Sequence, residues 1–508
     1  MAALSISPQG RGFFGIASSA VLLRALRVKN SDLSIIPPSQ FSSETLPLIA
    51  RNPAPKHIVD TLVDAYFTFY HTSYPFIHEA TFRAQYNKLS PRPKEEVWQI
   101  LFNTVLALGS WCINHENSSA DLIFYHNAKS YMNSYMFESG SLPMVQALTL
   151  LSNYAQKRDK PNSGWNYLGL AVRMALGSGL HREFSSWKSS PLKQEMRRRL
   201  WWGLYIFDAG AAVTFGRPIN LPSRNIADIK EVSNVPDNHL TIESESLPPA
   251  VAGPTIYSGL IAQTQFALAS NEIYNRLISK PSPTAEEVLY LDKRIDEFIN
   301  KLPIYFQEEH QDDNGPHWLV FTQYKSGWRY RNLRIILFRP FILQRILSEG
   351  EKPMPMNMNG TAEKECRRAC LKNAHDTITS VERFVLNQER SIISVWYALY
   401  FLFQASLIPL ICICSEPDSE HAREWLNDIE RTKEISEILA TKNRLAYRFL
   451  EVINRIKEQY MKTDNAGDPL VSKNEWLTDI YSLMYDDNDI FSGMSADMAV
   501  PLEFYGAS

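Results

Sequence analysis

Between Ser391 and Cys414 lie 24 consecutive residues without a charged side chain. A helix of that length reaches about 36 Å, enough to cross a bilayer. Two folds accommodate such a run: a membrane span, or a helix enclosed on all sides in a large helical protein. Gln404, Ser406 and Pro409 interrupt it, and Lys and Arg show little bias between its flanks, which argues against a span. Enclosure requires a long chain with ample apolar content. At 508 residues, 45% of them apolar, this chain meets that condition.

The enclosing helices are legible as apolar residues recurring every three and four positions. Val59, Val63, Phe67 and Tyr70 form one such face; Val97, Leu101, Val105, Leu108 and Cys112 form another. Leu122, Tyr125, Ala128 and Met132 follow, then Val145, Leu148 and Ser152. Further helices are predicted over 257–278, 283–302, 318–347, 361–386 and 442–461. Strand signals are weak and no fixed repeat period is present. The chain is therefore predicted to be all-α, a large bundle of packed helical hairpins. A loosely ordered lead-in is expected over 1–55, the body over 56–462 and an acidic–aromatic tail over 463–508. Pro236, Pro248, Pro249 and Pro254 mark a surface excursion over 231–254.

Residues 163–222 form the central stretch. Trp165, Leu168, Val172, Ala175 and Leu176 share one helical face, and Gly177 and Gly179 suggest an end near His181. Ser190 is placed to cap the next helix, with Pro191 at its first position, and Gly216 and Pro218 stop it. Arg197, Arg198 and Arg199 are consecutive, so they fan over roughly 200° of that helix and cannot make one flat basic face. Asp208 lies in an apolar segment, where an unpaired carboxylate would cost several kcal/mol or more. A structural ion pair is expected, with Arg217, Arg173 or His181 as the partner. Trp165, Trp202, Tyr205 and Arg217 combine apolar bulk with hydrogen-bonding ends, which makes them candidate lining for an effector pocket.

Composition narrows the function classes. The net charge of −3 leaves no whole-chain footprint for a nucleic-acid backbone. The five cysteines are sparse and odd in number, unlike a disulfide framework. His71, His78 and Glu79 surround Pro75 without metal-ligand spacing. No G-x-S-x-G, H-E-x-x-H or P-loop is present. No catalytic residue, metal ligand or cofactor is predicted, and an enzyme is not expected.

Several motifs, in order, resemble the regulatory domain of fungal zinc-cluster (Zn2Cys6) transcription factors, the xylanolytic-activator-type middle homology region. They are Phe76-Ile77-His78-Glu79-Ala80-Thr81-Phe82, Gly179-Leu180-His181-Arg182-Glu183, Arg197-Arg198-Arg199-Leu200-Trp201-Trp202 with Tyr205, Asp208 and Gly216-Arg217-Pro218, and finally Arg339-Pro340-Phe341. The resemblance covers roughly residues 10–415 and depends on order and spacing. It implies a nuclear regulator of RNA polymerase II transcription, controlling a metabolic pathway through co-regulators, coactivators or a small-molecule effector. The family's DNA reader holds two zinc ions with six cysteines, and that module is lacking here. The sequence thus either begins inside a longer protein or describes a regulator without its own reader. Direct DNA binding by this chain alone is not expected, nor is membrane association; a homodimer through the body is left open. The alternatives are a helical small-molecule sensor or a membrane-associated helical protein, neither with transcriptional activity.

The tail supports the first choice. From Asn474 to Ser508 there are seven acids and no Lys or Arg. Mutual repulsion keeps such a segment extended and leaves Tyr481, Tyr485, Ile490 and Phe491 available to a coactivator. The rival is a last helix packed on the body through Trp476, Leu477, Ile480 and Leu483.

Overall fold

The computed structural model describes residues 54–454, except for 114–118, 134–135, 137–139, 185–188, 308–312, 349–359, 441–445 and 448, together with Gly15, residues 17–19 and Leu22. The tail residues Tyr481, Tyr485, Ile490 and Phe491 lie outside the described residues. Among the described residues the chain is helical and contains no strand.

Thirteen α-helices can be followed: α1 Lys56–Ala65, α2 Glu79–Tyr86, α3 Glu95–Ile113, α4 Ala120–Ser130, α5 Leu142–Lys157, α6 Pro161–Gly177, α7 Pro191–Phe215, α8 Ile256–Ile278, α9 Ala285–Ile299, α10 His317–Ser348, α11 Thr361–Asn387, α12 Ile392–Ser415 and α13 Ala422–Ala440. Helix α1 runs on through a π-helical turn at Tyr66–Tyr70. Chain neighbours pack as hairpins: α3 on α4, α5 on α6, α10 on α11, and α12 on both α11 and α13. Helix α13 was not anticipated. Its buried positions Trp425, Ile429, Ile435 and Leu439 keep helical spacing, but Asp428, Thr432 and Ser436 between them are also buried and obscure the apolar face.

Helix α12 is the uncharged run. It passes through the body against α10, α11 and α13, with 89% of its most apolar window buried. Its enclosure explains why no polar face was selected. Pro409 lies inside it without ending it.

Helix α7 starts and stops where its sequence dictates. Ser190 Oγ accepts a hydrogen bond from Lys193 N at 3.3 Å, Pro191 occupies the first turn, and Gly216 ends the helix at φ 68°. Its predecessor α6 ends at Gly177, slightly before the expected point, because Gly179 turns the chain with φ 65°. Along α7 the three arginines diverge as their spacing requires. Arg197 donates to Gly179 O at 2.7 Å, Arg198 pairs with Glu183 at 2.5 Å, and Arg199 pairs with Asp237 at 2.7 Å. In the segment before α7, Arg182 pairs with Asp228 at 3.0 Å, so His181-Arg182-Glu183 serves structure.

Two expectations need correction. The 231–254 segment is not a simple surface excursion, because Val232, Val235 and Leu240 are buried and Asp237 is drawn onto Arg199. The lead-in is not wholly loose either. Gly15, Ala17, Ser18, Ser19 and Leu22 are buried; Gly15 N donates to Phe215 O at 2.8 Å, and Arg339 Nη2 donates to Ser18 O at 3.1 Å. Glycine is required at both strands of this crossing: a Cβ on Gly15 would lie 1.9 Å from Gly216 O.

Candidate functional site

A cavity of about 130 Å³ opens where α5, α7, α8, α10 and α12 converge. Helix α5 contributes Asn153 and Gln156, three residues apart and hence on one face. Helix α7 contributes its successive turns Ile206, Phe207, Gly210, Thr214 and Phe215; α8 adds Phe266 and Ser270. Arg329 and Asn332 come from one face of α10, and Trp396, Tyr397, Tyr400 and Phe401 from α12. Tyr74 closes one side. The composition is that of a ligand site, with aromatic walls and a few convergent polar groups.

The walls are held by hydrogen bonds. Tyr74 and Tyr397 share a hydrogen bond between their hydroxyls. Tyr70 Oη donates to Asn153 Oδ1 at 2.8 Å, and Thr214 Oγ1 lies 3.0 Å from Tyr400 Oη. Trp396 and Tyr400 stack nearly parallel, with ring centroids 5.9 Å apart. Arg329 Nη1 donates to Gln263 Oε1 at 2.9 Å. Asn332 is 6% exposed, and its Oδ1 has no hydrogen-bond partner.

Behind the aromatic wall sit two buried lysines. Lys157 Nζ lies 4.0 Å from the centroid of Trp396 and 4.8 Å from that of Tyr397. Lys325 Nζ lies 4.9 Å from Tyr74 and 5.5 Å from Tyr397 on its own side. Neither ammonium nitrogen has a hydrogen-bond partner. Burial lowers the Lys157 pKa to about 7; Cys112 opposes this and Arg329 adds to it. Burial also drives Lys325 well below the ordinary lysine range, helped by Arg329 and Lys157. Ring faces stabilise such cations only in part, since cation–π contacts supply about 2 kcal/mol when desolvated.

The four expected lining residues lie elsewhere. Trp202 donates from Nε1 to Lys230 O at 2.8 Å, and Tyr205 stacks edge-on to it at 5.5 Å, so both pack away from the cavity. Trp165 stands behind Phe215 at 5.8 Å, with the Arg217 guanidinium 4.7 Å from its ring. The Asp208 ion pair also needs correction. Asp208 is buried but accepts from Asn220 N and Leu221 N at 2.8 Å each and from Asn220 Nδ2 at 2.9 Å. Arg217 instead reaches Asn162, Arg173 is exposed, and His181 packs on Trp201. Burial raises the Asp208 pKa, and these amide donors, which favour the ionised form, only partly offset it.

His78 Nδ1 caps α2 by accepting from Thr81 N at 3.3 Å. Among the described residues no group of three or more His, Cys, Asp or Glu side chains could hold a metal ion.

Residues 63–302, which include α5, α7 and α8 of the cavity, match the model of the fungal specific transcription factor domain. The chain carries this domain. The lactose regulatory protein LAC9 of Kluyveromyces lactis is 31% identical over 388 residues, covering 75% of this chain and 41% of the relative. Transcription factor FBD3 of Gibberella moniliformis is 23% identical over 499 residues, covering 88% and 64%. The acetamidase regulatory protein of Aspergillus fumigatus is 29% identical over 227 residues, covering 42% and 29%. The chain thus spans less than two thirds of the length of these relatives.

Lys157, Lys325, Arg329 and Asn332 were not singled out from sequence. A signal was present: Lys325 sits in Phe321-Thr322-Gln323-Tyr324-Lys325-Ser326-Gly327-Trp328, a cation flanked by aromatics with Arg329 one turn on.

Proposed function

We propose that this chain is the effector-reading part of a nuclear transcription factor that controls metabolic genes transcribed by RNA polymerase II. The observation that carries this is the cavity itself. It is built by helices of the matched domain together with α10 and α12, so occupancy would bear on the packing of the whole body. The names of two relatives, a lactose regulatory protein and an acetamidase regulatory protein, support a metabolic setting. The acidic–aromatic tail would supply the output to a coactivator, with co-regulators as further partners.

Two measurements test the two halves. For the input, the chain is fused to a foreign DNA-binding module and reporter output is followed across carbon and nitrogen sources. A source-dependent response that Gly210→Leu abolishes at equal protein level is expected; identical output on every source would remove the input. For the output, residues 474–508 fused to the same module should activate, and replacing Tyr485, Ile490 and Phe491 by Ala should cut activity sharply. A silent, nuclear, normally expressed fusion would favour the packed-helix alternative for the tail.

A further inference from the structure

The cavity's chemistry narrows what it can take. Arg329 is half-buried in the lining, and its guanidinium carries five N–H donors, one of them directed to Gln263. Lys157 and Lys325 lie directly behind the wall rings Trp396, Tyr397 and Tyr74. Arg329 is therefore the standing cation of the lining, and two basic nitrogens, disfavoured as ammonium by burial, lie close behind the wall. Among the described lining residues the carboxylate is Asp159, which is solvent-exposed and so stands at the rim. Buried cations are ordinarily paired, and the two lysines here have no hydrogen-bond partner. Asn332 Oδ1, also buried and unpartnered, calls for a donor. By the measure in which one water position takes roughly 10–15 Å³, the cavity holds a ligand on the order of ten non-hydrogen atoms.

We propose that the cavity binds a small hydroxylated organic anion, with Arg329 meeting its carboxylate or phosphate and Asn332 accepting from a hydroxyl. Trp396, Tyr400 and Phe266 cover its carbon skeleton. A bound anion favours the protonated form of the lysines behind the wall, so they contribute through space as it binds. A water-poor, low-dielectric surround strengthens that attraction. The inference rests on the effector reading above and adds to it the charge and hydroxylation of the ligand.

The test uses the purified full chain at neutral pH and low salt, with thermal shift followed by calorimetric titration. The probes are gluconate, glucose 6-phosphate and 4-hydroxybenzoate, set against the uncharged glucose and 4-hydroxybenzamide. At least one anion is expected to bind, with its uncharged counterpart weaker by about tenfold or more. Arg329→Gln should erase that preference. Gly210 lines the cavity and has no neighbouring atom within 4 Å of an added Cβ, so Gly210→Leu should block binding while the chain keeps its melting temperature. Binding of the uncharged probes alone, or anion binding indifferent to Arg329→Gln and Gly210→Leu, overturns the anionic class and leaves the effector reading standing. No binding of any probe at millimolar concentration overturns the proposal, while the source-dependent reporter response tests the effector reading separately. Glucose 6-phosphate against gluconate separates a phosphate site from a carboxylate site.

Discussion

Arg199 and Lys325 are equally buried, and their surroundings are opposite. Arg199 contacts Asp237 at 2.7 Å, Glu195 at 3.3 Å and Val235 O at 3.2 Å, and its guanidinium lies 3.5 Å from the Tyr257 ring centroid. Tyr257 donates in turn to Asp237, and Ser233 N donates to Glu195 at 3.0 Å. Lys325 is offered aromatic faces and no hydrogen-bond acceptor. The first cation is satisfied within the protein and ties the 231–240 loop to α7. The second, with Lys157, is held in a form that the protein alone stabilises poorly, beside a cavity. Burial of a charge thus has two meanings here: a clamp where acceptors surround it, and a receptive site where they do not.

The largest expected effect breaks the clamp. Asp237→Ala leaves Arg199 buried with a partner removed and should cost on the order of 3–5 kcal/mol in urea unfolding. Burial alone would raise the Asp237 pKa; Arg199, His78 and His71 outweigh it and hold the carboxyl below the ordinary value. A loss below the range of a surface substitution would mean that the clamp is not one.

Asp208→Ala is expected to cost about 1–3 kcal/mol, because it orphans amide donors and strands no cation. The substitution Arg217→Ala should then show no coupling to it in a double-mutant cycle. Strong coupling would restore the ion pair that the geometry disfavours.

The receptive site gives a different signature, in pH. Lys157 is depressed in the folded chain to about 7, so between there and the ordinary lysine value the unfolded chain binds more protons. Stability should therefore rise with pH across that window, by up to about 1.4 kcal/mol per unit from this one group, and level off below pH 7. Lys157→Met should reduce the slope, leaving the part that Lys325 supplies by the same linkage. It should also leave stability at neutral pH within about 1 kcal/mol of wild type, or improve it, since an uncompensated buried ion is removed. An unchanged slope would show that Lys157 is not the group titrating. The smallest loss is expected from Lys325→Met at neutral pH, which should leave stability unchanged or raise it, because burial disfavours the protonated amine that the unfolded chain retains; a large loss would make Lys325 a clamp like Arg199.

Much of the fold was legible because its signals are local. Periodicity placed nearly all the helices, and Ser190, Pro191 and Gly216 bounded α7 correctly. The uncharged 24-residue run foretold an enclosed helix from its lack of any polar face. The site was not legible in the same way. Its walls come from residues as far apart as Tyr74 and Phe401, and helical spacing carries no information on which faces meet. Asp208 was rightly expected to be buried with partners, yet its donors are mostly backbone amides of 220–221, which have no residue-type signature. Trp202 and Tyr205 were chosen for their chemistry, but their position on α7 turns them toward Lys230 and away from the cavity.

The crossing of Gly15 over Gly216 imposes a timetable on biosynthesis. Gly15 meets the carbonyl of Phe215, and Ser18 meets Arg339, 321 residues further along. At roughly 5–20 residues per second, Arg339 follows Ser18 by some tens of seconds. Throughout that interval the seat of the early segment is incomplete, while α1 to α6 can already pair with their chain neighbours. Gly15 and Ser18 are therefore made before their docking surface and can complete both contacts only once α10 is in place. A ribosome pause placed between residues 216 and 339 should lengthen the time during which this segment is open to proteases, and a pause after 339 should not.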